Sequence, residues 1–201
     1  MSNSAFNIGQ RFVANVVWEV PVGPNRKYLS HGNLLMDTLV GGWNANAIVT
    51  IQSGLPFTVS APDESFTGPV HFSRPNCVGN PYAGATTNLH TLATAPLNDS
   101  SVFFMNPAAF ALPAAGTFGN CAPRNLTGPG LKNVDFSLFK VIPIHEQQRV
   151  EFRAEFFNTF NHPNFSAPNS SFSQPLPAGF GHITSTVTGP RIIQLALKFY
   201  F

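Results

Sequence analysis

Hydrophobic and polar positions alternate with a period of two along several stretches of this chain, the pattern of half-buried strands. In the first, Phe12, Ala14, Val16, Trp18 and Val20 form one face, while Arg11, Asn15 and Glu19 lie opposite with Val13 and Val17. Pro21 and the cluster Gly23-Pro24-Asn25 end that strand. The second follows Gly41-Gly42: Trp43, Ala45, Ala47, Val49 and Ile51 face one way, Asn44, Asn46, Thr50 and Gln52 the other. Ser53-Gly54 predicts a kink, with Pro56 to Ser60 extending the strand. From Asn133, Val134, Phe136 and Leu138 oppose Asp135 and Ser137, and Pro143-Ile-His-Glu146 reads as a tight polar turn. The cleanest strand runs from Gln148 to Phe157, with Val150, Phe152, Ala154 and Phe156 on one side and Arg149, Glu151, Arg153 and Glu155 on the other. His182 to Val187 reads as a short strand. In the terminal strand, residues 191–201, Ile193, Leu195, Leu197, Phe199 and Phe201 share one face.

Two long segments interrupt this regularity. Residues 61–132 are rich in Pro, Gly, Ala, Asn, Ser and Thr, and residues 158–180 form a second connection. Ordinary connections have a median of about four to six residues, so a segment as long as 61–132 is either functional or disordered. No solenoid-type repeat is present.

Composition narrows the class. Charged residues make up 10% of the 201 residues, against about 25% in ordinary soluble domains. There are 20 Phe, 16 Gly and 18 Pro, which points to an all-β chain with long irregular connections. The aromatic content argues against a disordered chain. A net charge of +2 with no basic run gives no reason to expect a nucleic-acid partner. No apolar run approaches the roughly 20 residues of a spanning helix.

Two architectures explain strands with one apolar face. In a soluble β-sandwich that face packs on a second sheet. In an outer-membrane barrel it meets lipid and the charged side lines a wet lumen. Connection lengths favour the barrel. With Phe201 on the periplasmic side, residues 158–189 and 61–132 fall outside, and the turn near Pro143 and the link 21–40 fall inside. Long outer and short inner connections are the barrel rule, and this chain follows it nearly, the inner link 21–40 being longer than typical. Trp43 and Phe201 then sit near one interface, and Phe156 and Phe160 toward the other. The expected fold is therefore all-β, with antiparallel strands forming the C-terminal segment of a transmembrane barrel. About five spanning strands are too few to close, since membrane barrels begin at about eight. The N-terminus has neither a basic start nor an apolar core, so it is not a signal peptide. These features lead to the expectation that residues 1–201 are a C-terminal fragment, with 61–132 an extracellular loop and 191–201 the terminal strand. The rivals are a soluble carbohydrate-binding or adhesion module and a truncated reading frame without independent function.

Several segments, in order, carry a resemblance. They are Gln10-Arg-Phe-Val-Ala-Asn15, Gly41-Gly-Trp43, Gln52-Ser-Gly-Leu-Pro-Phe57, Arg124-Asn125 with Gly128-Pro-Gly130, Asp135-Phe-Ser-Leu-Phe-Lys140, and Phe152-Arg-Ala-Glu-Phe-Phe-Asn-Thr-Phe-Asn-His-Pro-Asn-Phe165. Together they resemble the C-terminal part of TonB-dependent outer-membrane receptors of the Oar-like branch, whose members carry an N-terminal carboxypeptidase-regulatory-like domain. The resemblance implies a barrel of about 22 strands around a plug. It implies import of a bulky substrate, outer-membrane lipid as the surroundings, and contact with TonB only through the missing N-terminal part. It also implies that Phe199 and Phe201 are read by the barrel-assembly machinery. The substrate is not legible.

No enzyme constellation stands out, and no cofactor is expected. Glu151 and Glu155 are two pleats apart with Arg153 between them, which suits a lumen-facing ladder of Arg149, Glu151, Arg153 and Glu155 better than a general acid. The histidines at 31, 71, 90, 145, 162 and 182 are scattered and read as solvated; all but His182 fall in connections. Cys77 and Cys121 lie in the long polar segment and are either a disulfide or two free thiols, with no spacing for zinc. In that segment Phe66, Phe72, Tyr82, Phe103 and Phe104 either stack on a flat ligand or pack the loop onto itself.

Overall fold

The structure, a computed structural model, describes residues 3–23, 26–28, 38–66, 73–99, 101–145 (main chain only at 145) and 148–201. In chain order its strands are β1 (Arg11–Glu19), β2 (Trp43–Gln52), β3 (Pro56–Phe57), β4 (Asn76–Cys77), β5 (Phe110–Ala111), β6 (Leu126–Thr127), β7 (Leu131–His145), β8 (Gln148–Phe157) and β9 (Ile192–Tyr200). The longest helix among the described residues is the short α1 (Leu89–Thr94). Its first turn is capped by the Asn88 side chain, which accepts from the N–H groups of His90 and Thr91. The chain forms two compact units, one of residues 11–51, 132–163 and 188–201, the other of residues 1–10, 52–131 and 164–187.

The first unit is an open sheet in the order β1-β2-β7-β8-β9. The antiparallel register of β7 and β8 pairs Phe136 with Phe156, Leu138 with Ala154 and Ile142 with Val150. That of β8 and β9 pairs Phe156 with Ile193, Ala154 with Leu195, Phe152 with Leu197 and Val150 with Phe199. Directly opposed residues share a face, so the apolar sides of three strands merge into one surface. A slip of one residue would turn each strand over, and the alternation forbids it. Trp43 joins that surface from β2, its ring edge-on to Phe152 with centroids 5.9 Å apart.

No second layer covers this face among the described residues. Ile193, Leu195, Leu197 and Phe199 are 53–73% exposed, and the buried apolar residues of the sheet are Ala45 and Ala154. Val150 and Phe152 are only half-buried. In water, four such side chains left about half exposed would forfeit about 5 kcal/mol. That is comparable to the whole net stability of a small domain, about 5–15 kcal/mol. A sandwich would bury them; this sheet does not.

One charged residue lies on the apolar face by register. Lys140 is opposite Phe152 and is 4% exposed. Its stem follows the apolar surface while Nζ donates to the Thr38 carbonyl and sits 5.5 Å from the Trp43 ring centroid. Long basic side chains commonly bury the stem and place the charge at a polar rim in this way.

The second unit has a core of its own. Val59, Ala61, Met105, Ala109, Phe110, Cys121, Leu126, Phe172 and Phe180 form one buried cluster. The rings of Phe110, Phe172 and Phe180 meet at 5.6–6.0 Å between centroids, in tilted and edge-on arrangements. Two tiny antiparallel pairs, β3 with β6 and β4 with β5, fasten it. Gly54 packs against the loop at Gly128: a Cβ there would lie 1.8 Å from the Gly128 carbonyl oxygen, so only glycine permits the approach. The motifs around Gln52–Phe57 and Gly128–Gly130 are thus spatial neighbours.

Several expectations change. Residues 56–60 do not prolong β2; Pro56 and Phe57 turn away to pair with Thr127 and Leu126. Residues 182–187 form no strand, only an isolated bridge from Thr186 to Phe165. Pro143 lies inside β7 and not in a turn, at a register irregularity between 143 and 145 that accommodates its missing N–H. Pro24, Asn25, His31, His71, Phe72, the side chain of His145, and Glu146 lie outside the described residues.

Candidate functional site

The face of the sheet opposite the apolar one carries its charges. Arg153 donates to Glu151 at 2.7 Å and stands 3.8 Å from Glu155. Tyr200, across the β8–β9 pair, donates its hydroxyl to the other oxygen of Glu151 at 3.0 Å. The Arg149 guanidinium lies 4.4 Å from the Tyr200 ring centroid. The result is a continuous chain, Arg149–Tyr200–Glu151–Arg153–Glu155, along two strands. Strand alternation puts Arg149, Glu151, Arg153 and Glu155 on one side, and the β8–β9 register adds Tyr200.

Beside it, a groove of about 240 Å³ is lined by the polar Asn15, Asn46, Asp135, Ser137 and Glu155 and by the apolar Val17, Ile48, Phe136, Phe156 and Phe157. Asn46 Oδ1 is buried there without a partner among the described residues. Polar side chains from β1, β2, β7 and β8 therefore reach one groove of mixed polar and apolar character.

The end of β8 shows what the Phe152–Phe165 block is for. Asn158 and Asn161 have φ of 49° and 51°, a left-handed backbone that asparagine tolerates better than most residues. Asn158 Oδ1 accepts from the His162 N–H at 2.9 Å, and its Nδ2 donates to the carbonyls of His162 and Gly189 at 3.1 Å. The Asn158 N–H donates to Asp135 at 2.8 Å, and the Arg191 N–H donates to Asn161 Oδ1 at 2.9 Å. This turn ties the end of β8 to the starts of β7 and β9. Neither asparagine stood out individually in the sequence; the signal was the pair within an otherwise aromatic block.

At the other end of β9, the rings of Phe199 and Phe201 stack with centroids 6.1 Å apart, and Phe201 is 95% exposed. In the second unit the sulfurs of Cys77 and Cys121 are bonded, closing a loop across 44 positions. Of the loop aromatics, Tyr82 and Phe104 pack together, with Phe104 also against Phe57. The Thr127 N–H donates to the Tyr82 hydroxyl at 3.1 Å. Phe66 points to solvent, 75% exposed.

His90 and His162 are exposed. His182 corrects the expectation of a solvated histidine in a strand: it lies in a connection and is 2% exposed. Its apolar neighbours in Gly179-Phe-Gly-His-Ile183 were the available signal. No group of three potential metal ligands occurs among the described residues.

A family model described as an outer membrane beta barrel domain matches residues 1–194. The chain belongs to this family. The barrel domain resides in the outer membrane, and its antiparallel sheet with one uncovered apolar face is the wall expected of such a domain. No curated protein and no solved structure matches the chain.

Proposed function

We propose that this barrel domain is a C-terminal wall segment of a TonB-dependent receptor of the Oar-like branch, contributing to uptake of a substrate not yet identified. The observation that carries the reading is the two-sided sheet. Its apolar face has no protein layer among the described residues, and its opposite face holds an unbroken charged and hydroxylic ladder. Lipid covers the first and a watery lumen meets Arg149, Glu151, Arg153 and Glu155 on the second. The resemblance of the six segments supports the receptor branch.

The outer edges of β1 and β9 have no strand partner among the described residues. Unpaired edge groups in hydrocarbon cost several kcal/mol each, so further strands complete the wall. The domain meets TonB only through a part of the receptor outside this segment. The barrel-assembly machinery reads the aromatic end at Phe199 and Phe201. Residues 61–132 face the cell exterior. We assign no catalytic role: Arg153 engages both Glu151 and Glu155, leaving no free carboxyl pair.

The test is the in-frame DNA upstream of Met1 together with membrane fractionation. The reading expects a plug domain and a TonB-contacting segment upstream, and a product that floats with the outer membrane. A frame lacking any plug sinks the receptor assignment while leaving the barrel domain intact.

A further inference from the structure

The face of the sheet that carries the charged ladder is not polar throughout. Val17, Ile48 and Phe157 lie on it by alternation and are 68, 46 and 43% exposed. The Val20 N–H donates to the Trp43 carbonyl and the Ser53 N–H to the Gln10 carbonyl. That register sets Asn15 opposite Ile48 and Val17 opposite Asn46, so apolar and amide side chains alternate across the groove of about 240 Å³.

Two carboxylates border the same groove. Glu155 faces Ser137 directly, so Asp135 is its diagonal neighbour, about 7–8 Å away along the β7–β8 pair. Asp135 Oδ1 accepts from the Asn158 N–H at 2.8 Å and from Asn133 Nδ2 at 2.9 Å. Glu155 Oε1 stands 3.8 Å from Arg153, and its side chain is 29% exposed. Asp135 Oδ2 and Glu155 Oε2 accept no hydrogen bond among the described residues, and neither oxygen is buried. Ionised carboxylates only accept, so they select a ligand that donates. Their charge disfavours anions, and Arg153 beside Glu155 offsets the attraction for a cation. A neutral body with apolar C–H faces and several hydroxyls matches both halves of the lining. The volume is small for a ligand site and holds one ring, not several.

We propose that this groove binds one pyranose residue of a neutral saccharide, its C–H face against Val17, Ile48 and Phe157 and its hydroxyls donating to Asp135 and Glu155. This names a substrate class for the uptake proposed above and rests on that reading for the side that faces the lumen.

The test uses the outer-membrane protein expressed from its whole reading frame and extracted into amine-oxide micelles, which carry no sugar. The probes are the methyl pyranosides of glucose, galactose and mannose, read by saturation transfer from protein to ring protons. The proposal expects saturable transfer to at least one of the three, and none to tetrahydropyran, which lacks the hydroxyls, or to methyl glucuronate. Glu155→Ala weakens binding about tenfold or more, and Ile48→Trp, filling the groove from an exposed position, abolishes it. Heat-modifiable migration on a gel shows that each variant is assembled; where one fails, the other decides. No saturable transfer to any of the sugars, equal transfer to tetrahydropyran or the glucuronate, tighter binding of phenethylamine, or a signal that survives Ile48→Trp overturns the proposal. Saturable binding in a frame without a plug keeps this site and sinks only the receptor assignment; a plug with no sugar signal does the reverse.

Discussion

The sheet and the unit formed by residues 1–10, 52–131 and 164–187 treat their large apolar side chains in opposite ways. The sheet leaves Ile193, Leu195, Leu197 and Phe199 more than half exposed. The other unit buries Met105, Phe110, Phe172 and Phe180 almost completely, although most of it is irregular chain. Regular structure and a protein core are therefore separable. Strands satisfy their backbone groups in ladders and can present grease outward when the surroundings are lipid. An irregular segment in water needs its own apolar cluster, its cross-link and its capped turns to offset the entropy of ordering.

The strongest way to break this comparison is to empty the irregular unit's core. Phe172→Ala is expected to cost about 3–5 kcal/mol there, making residues 52–131 protease-sensitive while membrane assembly of the strands persists. Equal loss of assembly would show that the two units are not separable. A charge on the sheet's apolar face tests the other side. Leu197→Arg is expected to lower the assembled fraction by about 2–4 kcal/mol if it lies near the bilayer midplane, with the Cys77–Cys121 bond still formed. Normal assembly of this variant would refute lipid contact. Reduction of that bond is expected to cost the irregular unit about 2–4 kcal/mol, read as faster limited proteolysis with no change in the sheet.

Asn158→Ala removes the three side-chain bonds that join the end of β8 to residues 162 and 189. A cost of about 1–3 kcal/mol is expected, seen as faster amide exchange at the start of β9. The smallest effect concerns Asp99. The Ser101 hydroxyl and N–H hold its carboxyl below the usual 3.8, the nearby His182 adding a lesser push in the same direction. A depressed carboxyl contributes stability above its unfolded value, and that contribution is lost as pH falls through the lower folded value. Ser101→Ala is expected to move the Asp99 titration up toward 3.8, measured by NMR; an unmoved titration would rule out the Ser101 hydroxyl as the main cause.

Legibility followed the range of the interactions. Strand β8 was readable because alternation is local: each neighbour alone shows whether Arg149 or Val150 faces the apolar side. Pairing of Phe57 with Leu126 was not, because two-residue strands carry no period and their partner is 69 positions away by number. Pro143 misled because Pro143-Ile-His-Glu146 reads as a tight polar turn, whereas an irregularity near the strand end absorbs the missing N–H and the strand continues. His182 misled because residues 182–187 read as a strand; its apolar neighbours Phe180 and Ile183 carried the signal of burial, and the segments folded over it complete that burial.

The amino-acid sequence by itself determined the two-faced strands, their order of alternation and the charged row from Arg149 to Glu155, since side-chain direction in a strand is set residue by residue. The tertiary structure alone decided that residues 52–131 build a core, that Cys77 meets Cys121, that Tyr200 completes the Glu151 network, and that His182 lies beside a cavity. Each of those needs chain segments far apart to meet, and no local pattern encodes the meeting.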